Sequence, residues 1–209
     1  MEQNQFDVMG SNAVIFSGSF NPVHIGHLVI ANYIVEFTSA DEFWFVVSPH
    51  NPFKSISELA GFHHRLNMVN IAFEELGLPI VVSDIENSLP QPSYTINTVN
   101  ALAEKYPDKK WSLLVGADNL VNFHLWKDSA KILERHQLLV YPRTGFDDDQ
   151  LYEKNSASKI NAPVIEISST FIRNNISKGH NLRAFLPKGV FRYICENGLY
   201  GILNGGISN

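Results

Sequence analysis

The sequence has 209 residues, of which 44% are hydrophobic and 18% are charged, and its formal net charge is −5. This composition supports a packed core and excludes a disordered chain. The net negative charge argues against a nucleic-acid partner that would bind a broad basic surface. Cys195 is the only cysteine, which excludes an intramolecular disulfide and a zinc site built from cysteines.

Residues 1–11 form a polar extension that lacks the basic start and apolar run of a signal peptide. The longest strongly apolar runs, such as FWFVV, are far shorter than the ~20 residues that a membrane helix needs. We therefore expect a cytoplasmic protein with no membrane segment, in which residues 12–209 form a single domain. A homo-oligomer is compatible with the sequence, which does not determine the oligomeric state.

Apolar runs of strand length alternate with segments of helical period along the chain. This alternation predicts βαβ units and therefore a Rossmann-like, doubly wound, mostly parallel sheet with helices on both faces. The acidic segment 144–162 has no clear period and is expected to be a loop. Strands are predicted at 12–18, 42–49, 79–86, 110–118, 137–143 and 163–168, and helices at 26–38, 61–78, 92–107, 124–136, 169–179 and 186–201.

Polar turns follow four of the predicted strands, after Phe16, Val47, Val115 and Ile167. The carboxyl ends of parallel strands lie at one edge of a sheet, and ligands bind there at the point where the strand order reverses. The four turns are therefore expected to form one site.

The first turn, GSFNPVHIGH, contains two histidines at the start of a predicted helix. His24 and His27 are separated by three positions, so both can point the same way, and a helix N-terminus suits an anion. Gly18 permits a close backbone approach. The alternatives are that each histidine only satisfies the turn or the helix cap, or that the pair binds a metal. The metal hypothesis is weaker because H-x-x-H lacks a nearby third ligand.

Three further candidates lie at or beyond the ends of the second and fourth predicted strands. Lys54 is a point charge suited to phosphate, or an ordinary loop lysine. Asp118 can accept hydrogen bonds from ribose hydroxyls, or cap the next helix. Trp126 can stack on a heteroaromatic ring, or belong to the core.

The turn ISSTFIR provides hydroxyls and amides at another predicted helix start. Ser168, Ser169 and Thr170 are the residues at that start, and Arg173 offers a planar fork for phosphate oxygens one turn later. The alternative is a capped helix with a surface arginine. That alternative does not explain why four turns at one edge all carry groups suited to phosphate or ribose.

The sequence offers no nucleophile constellation and no pair of carboxylates placed for hydrolysis. A reaction that needs only positioning and charge neutralisation therefore fits best. Transfer of a nucleotidyl group to a substrate phosphate is such a reaction, because the acceptor phosphate is already an anionic nucleophile.

These residues also resemble a known family. GSFNPVHIGH resembles the (H/T)-x-G-H signature of the nucleotidyltransferase superfamily, and ISSTFIR resembles its second signature, I-S-S-T-x-x-R. SPHNPFK, SYTINTVNAL, LLVGADNLVNFHLWKD and LPKGVFRYICENGLY are similar to successive blocks of the bacterial nicotinate-nucleotide adenylyltransferases. The resemblance extends from Ala13 to Tyr200 and is specific for the branch that uses nicotinate or nicotinamide mononucleotide.

The resemblance implies that ATP and nicotinate mononucleotide react to give deamido-NAD and pyrophosphate, with Mg²⁺ brought by ATP and no metal held by a protein cage. It implies that His24, His27, Arg173 and Lys54 act in catalysis. The remaining implied positions are ATP contacts at Gly18, Ser19, Phe20, Asp118, Ser168, Ser169 and Thr170, and mononucleotide contacts at Lys54, Thr95 and Trp126.

Two departures from the family pattern stand out. The family often has Thr-Phe-Asp where this chain has Ser19, Phe20 and Asn21, and segment 50–65 is longer than the common P-P-H-K form. Three other hypotheses stay open at this point: a transferase for another phosphorylated acceptor, a nucleotide-binding sensor without turnover, and a metal-dependent hydrolase that uses His24, His27 and His50.

Overall fold

The computed structural model describes residues 10–50, 59–74, 76–146 and 148–202. In this part of the chain, six strands pair in parallel to form one sheet with the order β3-β2-β1-β4-β5-β6. The strands are β1 (Ser11–Gly18), β2 (Glu42–Val47), β3 (Ile80–Ser83), β4 (Lys109–Gly116), β5 (Gln137–Tyr141) and β6 (Ala157–Lys159).

The α-helices in the described ranges lie along the connections between these strands and after the last one. They are α1 (Ile25–Phe37), α2 (Phe62–Phe73), α3 (Thr95–Lys105), α4 (Ala117–Leu120), α5 (Ser129–Arg135), α6 (Asp149–Lys154), α7 (Ser169–Ile176) and α8 (Lys188–Glu196). The chain builds outward from β1 through β2 to β3, then returns to β4 on the other side of β1 and builds outward again. This reversal between β1 and β4 confirms the predicted doubly wound α/β fold.

Both faces of the sheet are buried, and β2 shows why its sequence is apolar from Phe43 to Val47. Phe43 and Phe45 belong to the core beneath α1, α2, α7 and α8. Trp44 and Val46 belong to the core beneath α3, α5 and α6. Successive side chains of a strand point to opposite faces, so a strand covered on both sides is apolar throughout.

The prediction of a loop over 144–162 is wrong. This segment contains the helix α6 and the edge strand β6, which pairs with β5 through Leu138 and Ala157. The Asp148 side chain caps α6 by accepting a hydrogen bond from the Gln150 backbone N–H at 3.0 Å. An edge strand has only one neighbour, so β6 exposes polar side chains and lacks the apolar run that marks the inner strands.

The predicted strand over 163–168 is also absent. The place beside β5 is taken by β6, and the bond from Ile160 N to Val140 O at 2.9 Å follows that pairing. Pro163 has no N–H to donate to a ladder, and Val164 is 49% exposed. The side chain of Ile165 instead lies beside Gly26 at the start of α1. The segment therefore leads the chain to the start of α7.

No helix in the described ranges is long and apolar enough to cross a membrane.

Candidate active site

A pocket of about 770 Å³ opens at the carboxyl ends of β1, β4 and β5, the side where the strand order predicts a site. Lys54 lies outside the described residues. His50, named in the hydrolase hypothesis, is not among the residues that line the pocket. The residues assigned to catalysis or to nucleotide binding, apart from Lys54, all line this pocket: Gly18, Ser19, Phe20, His24, His27, Thr95, Asp118, Trp126, Ser168, Ser169, Thr170 and Arg173.

The loop after β1 holds Phe20 in an unusual backbone conformation. Phe20 has a φ of 45° and is 4% exposed, and a bulky residue in this region is strained by about 1–3 kcal/mol. A Cβ at Gly18 would lie 3.1 Å from the Phe20 ring. Gly18 is therefore needed because the ring packs over it, whereas the positive φ falls two residues later.

Donors from two helices hold the backbone carbonyls of this loop. Arg65 Nη1, on α2, donates to Ser19 O at 2.8 Å. Arg173 Nη1, on α7, donates to Asn21 O at 3.0 Å, and Ser169 Oγ donates to Pro22 O at 2.9 Å. The loop is therefore fixed relative to α2 and α7.

Arg65 was missed in the sequence because an arginine in a helical segment usually faces water. It is 1% exposed here, and burial lowers the pKa of its guanidinium. Besides Ser19 it donates to the carbonyl oxygens of Ser48 at 2.7 Å, Pro49 at 3.0 Å and Ala60 at 2.9 Å. One side chain thus joins the loops that follow β1 and β2.

The rings of the two histidines lie against each other, tilted by 35°, at the start of α1. His24 is the N-cap residue, and its backbone N–H donates to His27 Nδ1 at 3.1 Å. Because Nδ1 of His27 accepts this bond, the ring proton of neutral His27 is on Nε2, where it can be donated. The two ring centroids are 3.8 Å apart.

The protonation of His24 follows from its surroundings. Burial and the neighbouring Arg143 guanidinium lower the pKa of His24 to about 3, so its imidazole is neutral near pH 7 and carries one N–H. Its Nδ1 is buried and has no hydrogen-bond partner among the described residues. His24 can therefore offer a ligand one hydrogen bond but no positive charge.

Asp118 and Arg143 face each other where β4 and β5 end. Arg143 Nε is 3.8 Å from Asp118 Oδ1, and Arg143 Nη2 donates to Tyr141 OH at 3.0 Å. A Cβ at Gly116 would be 2.2 Å from Asp118 Oδ1, so glycine is required for the carboxylate to fold back over β4. Gly116, and not Asp118, is the N-cap of α4. Arg143 was missed in the sequence, where it is the last residue of a predicted strand; the observed β5 ends two residues earlier, at Tyr141.

The starts of α3 and α7 also reach the pocket. Ser168 caps α7, since its Oγ accepts a hydrogen bond from Phe171 N at 3.1 Å. The N-cap of α3 is Tyr94, and Thr95 is the first helical residue.

Trp126 is half-buried at the pocket wall, where its ring centroid is 5.1 Å from that of Phe123. Glu86 is a further pocket residue that the sequence analysis did not single out. In the described part of the chain, no three His, Cys, Asp or Glu side chains are grouped so that they could hold a metal ion.

A parallel sheet with a large polar pocket at its switch point is the architecture of the α/β proteins that bind nucleotides. The family model described as Cytidylyltransferase-like matches residues 15–175. A protein of Flavobacterium johnsoniae named "Probable nicotinate-nucleotide adenylyltransferase" is 47% identical over 189 residues, which cover 89% of this chain and 97% of that protein. A Bacteroides fragilis protein of the same name is 46% identical over 183 residues, which cover 87% of this chain and 90% of that protein.

The chain therefore belongs to the cytidylyltransferase-like family and, within it, to the nicotinate-nucleotide adenylyltransferases, which confirms the resemblance read from its motifs. The fold has solved counterparts. The Plasmodium falciparum nicotinic acid mononucleotide adenylyltransferase complexed with NaAD matches with a TM-score of 0.80 at 22% identity, over 92% of this chain and 98% of that one. The same enzyme complexed with APC matches with a TM-score of 0.78.

Proposed function

We propose that this chain transfers the adenylyl group of ATP to nicotinate mononucleotide and releases deamido-NAD and pyrophosphate, a step of NAD biosynthesis. The observation that carries the proposal is one pocket lined by two different groups of residues. One group, which we assign to the ATP side, contains the adjacent histidines and the start of α7; the other, which we assign to the mononucleotide side, contains the start of α3 and Trp126. Family membership supports the same reaction.

The chemistry needs two anions held in line. An oxygen of the mononucleotide phosphate attacks the α-phosphorus of ATP, the new P–O bond forms, and the bond to the pyrophosphate leaving group breaks. The attacking oxygen is already charged, so no base and no covalent enzyme intermediate are required. Catalysis then comes from positioning and from donors aimed at the charge that develops on the phosphates.

On the ATP side, we assign the phosphates to His24, His27 and Arg173, with neutral His24 contributing a donor only. The backbone of Gly18, Ser19 and Phe20 and the hydroxyls at the start of α7 complete this side. Ser19 Oγ is buried and has no hydrogen-bond partner in the described ranges, so its proton is available for a phosphate oxygen. Those α7 hydroxyls belong to Ser168, Ser169 and Thr170.

We assign the adenosine ribose to Asp118 and the pyridine nucleotide to Thr95 and Trp126. The first turn of α3 presents unpaired backbone amides near Thr95, which suit the nicotinate carboxylate, and the Trp126 ring can stack on the pyridine. Lys54 is assigned to the phosphate of the mononucleotide or of ATP, and this role is a prediction from the sequence alone.

We propose that Mg²⁺ enters with ATP. Magnesium prefers phosphate oxygens together with one or two carboxylates, and the pocket wall fits this arrangement because it is rich in donors to phosphate and carries the exposed Asp118 carboxylate. When bound, the ion neutralises charge on the phosphates. We also propose that residues 12–209 act as one domain in the cytoplasm.

The test is release of pyrophosphate by the purified protein with Mg-ATP and one of four acceptors at matched concentration. Nicotinate mononucleotide is expected to react fastest, ahead of nicotinamide mononucleotide, pantetheine phosphate and glycerol phosphate. Equal rates for all four acceptors would rule out the substrate assignment. ATP binding without turnover would instead favour a sensor.

A further inference from the structure

Glu86 is a buried carboxylate on the pocket wall that no step above uses. It lies in the short 3-10 turn Ile85–Ser88 after β3 and is 2% exposed. None of the ion pairs in the described ranges includes it. Burying a carboxylate without a cation is costly unless hydrogen bonds satisfy it, so its partners determine what it does.

One oxygen of Glu86 is fully occupied. Oε1 accepts hydrogen bonds from Ser17 Oγ at 2.7 Å and from Thr98 Oγ1 at 2.8 Å. Ser17 Oγ also lies 3.1 Å from Ser48 Oγ. Since the single Ser17 proton goes to Glu86, Ser48 is the donor in that contact. The carboxylate is thereby fixed between the end of β1 and the first turn of α3.

The other oxygen is unsatisfied. Glu86 Oε2 is buried and has no hydrogen-bond partner among the residues that the structure describes. Leaving such an acceptor unpaired costs about 1–3 kcal/mol or more. This cost is expected where a ligand supplies the missing donor. The rigid attachment through Oε1 keeps Oε2 in place for it.

The chemistry of the substrate restricts which group can be that donor. The pyridine carboxylate and the phosphate of nicotinate mononucleotide are anionic acceptors, and its only hydrogen-bond donors at neutral pH are the ribose hydroxyls. Glu86 bonds to Thr98, one helical turn from Thr95 at the start of α3, so it lies on the side assigned to this nucleotide.

We propose that Glu86 is a binding residue for the mononucleotide, with Oε2 accepting a hydrogen bond from a ribose hydroxyl. The assignment rests on the proposed function. It gives each nucleotide its own carboxylate, Asp118 for the adenosine ribose and Glu86 for the pyridine ribose. A carboxylate here also repels the phosphate and the nicotinate carboxylate, so it favours the orientation that brings the ribose to this wall.

The experiment changes enzyme and ligand together. Pyrophosphate release is measured for wild type and Glu86→Gln with nicotinate mononucleotide and with its 2′-deoxy and 3′-deoxy analogues. Loss of a hydrogen bond to a charged group predicts that wild-type kcat/KM falls roughly tenfold to hundredfold for at least one analogue. Glu86→Gln keeps an oxygen for Ser17 and Thr98 but places an amide NH₂ at the Oε2 position. We expect the kcat/KM of this variant to differ only a few-fold between nicotinate mononucleotide and its deoxy analogues, and its KM for ATP to be unchanged.

Two further variants separate binding from architecture. Thr98→Val removes one attachment of Oε1 but keeps Oε2, so it is expected to retain most of the discrimination. Glu42→Gln is the matched control, because Glu42 is a partly buried carboxylate bonded to Lys109 and Trp44 at the opposite end of β2. It is expected to discriminate like wild type.

The outcomes distinguish the two proposals. If wild type uses nicotinate mononucleotide and both deoxy analogues equally well, the ribose contact is wrong and the proposed function stands. If Glu86→Gln discriminates against the deoxy analogues as strongly as wild type does, the ribose contact belongs to another residue and the role of Glu86 is wrong. No turnover of nicotinate mononucleotide by wild type overturns both. Urea unfolding of each variant shows whether it is folded, and Thr98→Val and Glu86→Gln preserve the packing volume.

Discussion

The two sides of the pocket are built in different ways. The side assigned to ATP phosphates comes from two continuous segments, 18–27 and 168–173, whose residues also bond to each other through Ser169 and Arg173. The side assigned to the mononucleotide comes from single residues in three separate segments, Glu86, Thr95 and Trp126. The first side consists mainly of donors, whereas the second contains a buried acceptor. The residues assigned to phosphate binding therefore lie close together in the sequence. The residues assigned to the second nucleotide are distant in the sequence and are brought together by the fold.

The largest expected effect is on the phosphate side, at His27. Removing a donor that stabilises developing charge typically costs about 2.7–4 kcal/mol, or a hundredfold to a thousandfold in kcat. We expect this loss for His27→Ala, with a much smaller change in the Kd of ATP measured by titration calorimetry.

His27→Asn sharpens the test, because its amide oxygen can replace Nδ1 as acceptor for the His24 N–H while the Nε2 proton is lost. It should be as slow as His27→Ala. His180→Ala, at an exposed histidine, is the control and should leave kcat unchanged. An equal loss of ATP affinity and turnover would favour a binding role for His27.

The next effect is expected at Arg173. Lysine keeps the positive charge but lacks the planar guanidinium. That group donates to Asn21 O and, in the proposed complex, can donate to a phosphate at the same time. We expect kcat/KM of Arg173→Lys to fall about tenfold to hundredfold, in line with a hydrogen bond to a charged group. Arg192→Lys, on the exposed surface of α8, should behave like wild type. A wild-type rate for Arg173→Lys would mean that charge alone is sufficient there.

His24 is expected to make stability depend on pH. Its pKa is lowered to about 3 in the folded protein and is about 6.5 in an unfolded chain, so the unfolded state binds the extra proton between these values. The stability is therefore highest above pH 6.5 and falls as the pH drops. The loss from His24 is about 2 kcal/mol at pH 5.

The measurement is urea unfolding at pH 7.5 and pH 5.0. The wild-type free energy of unfolding should decrease more than that of His24→Gln, by about 2 kcal/mol. His180→Gln should follow wild type, because that side chain is exposed. Parallel pH dependence of wild type and His24→Gln would show that His24 titrates normally.

The smallest effect is expected on the mononucleotide side, at Trp126. Aromatic stacking contributes about 0.5–1.5 kcal/mol beyond area burial, so Trp126→Ala should raise the KM of nicotinate mononucleotide roughly twofold to tenfold. Trp126→Phe should restore most of the affinity, and the KM of ATP should stay constant. Phe37→Ala removes an aromatic ring that is 70% exposed and serves as control. A larger change in the KM of ATP would place Trp126 on the other side.

Segments with a strong local pattern were predicted correctly from the sequence. The inner strands are apolar because both faces are covered, so β1, β2 and β4 were found close to their observed bounds. The weakly apolar edge strand β6 was missed, and the apolar run over 163–168 was mistaken for it. Whether an extended segment becomes a strand depends on a free neighbouring edge, and that is a property of the sheet.

The sequence by itself indicated the doubly wound α/β class and the edge where the site lies, because alternating βα units and strand-end turns depend on local propensity; the strand order came from the structure. It also identified His24, His27 and Arg173 through two continuous motifs. Only the tertiary structure brought Glu86 to Ser17, 69 positions away, and buried Arg65 beneath two loops. A carboxylate in a turn and an arginine in a helix have the same local pattern whether they face water or a pocket. Their roles are decided by long-range packing.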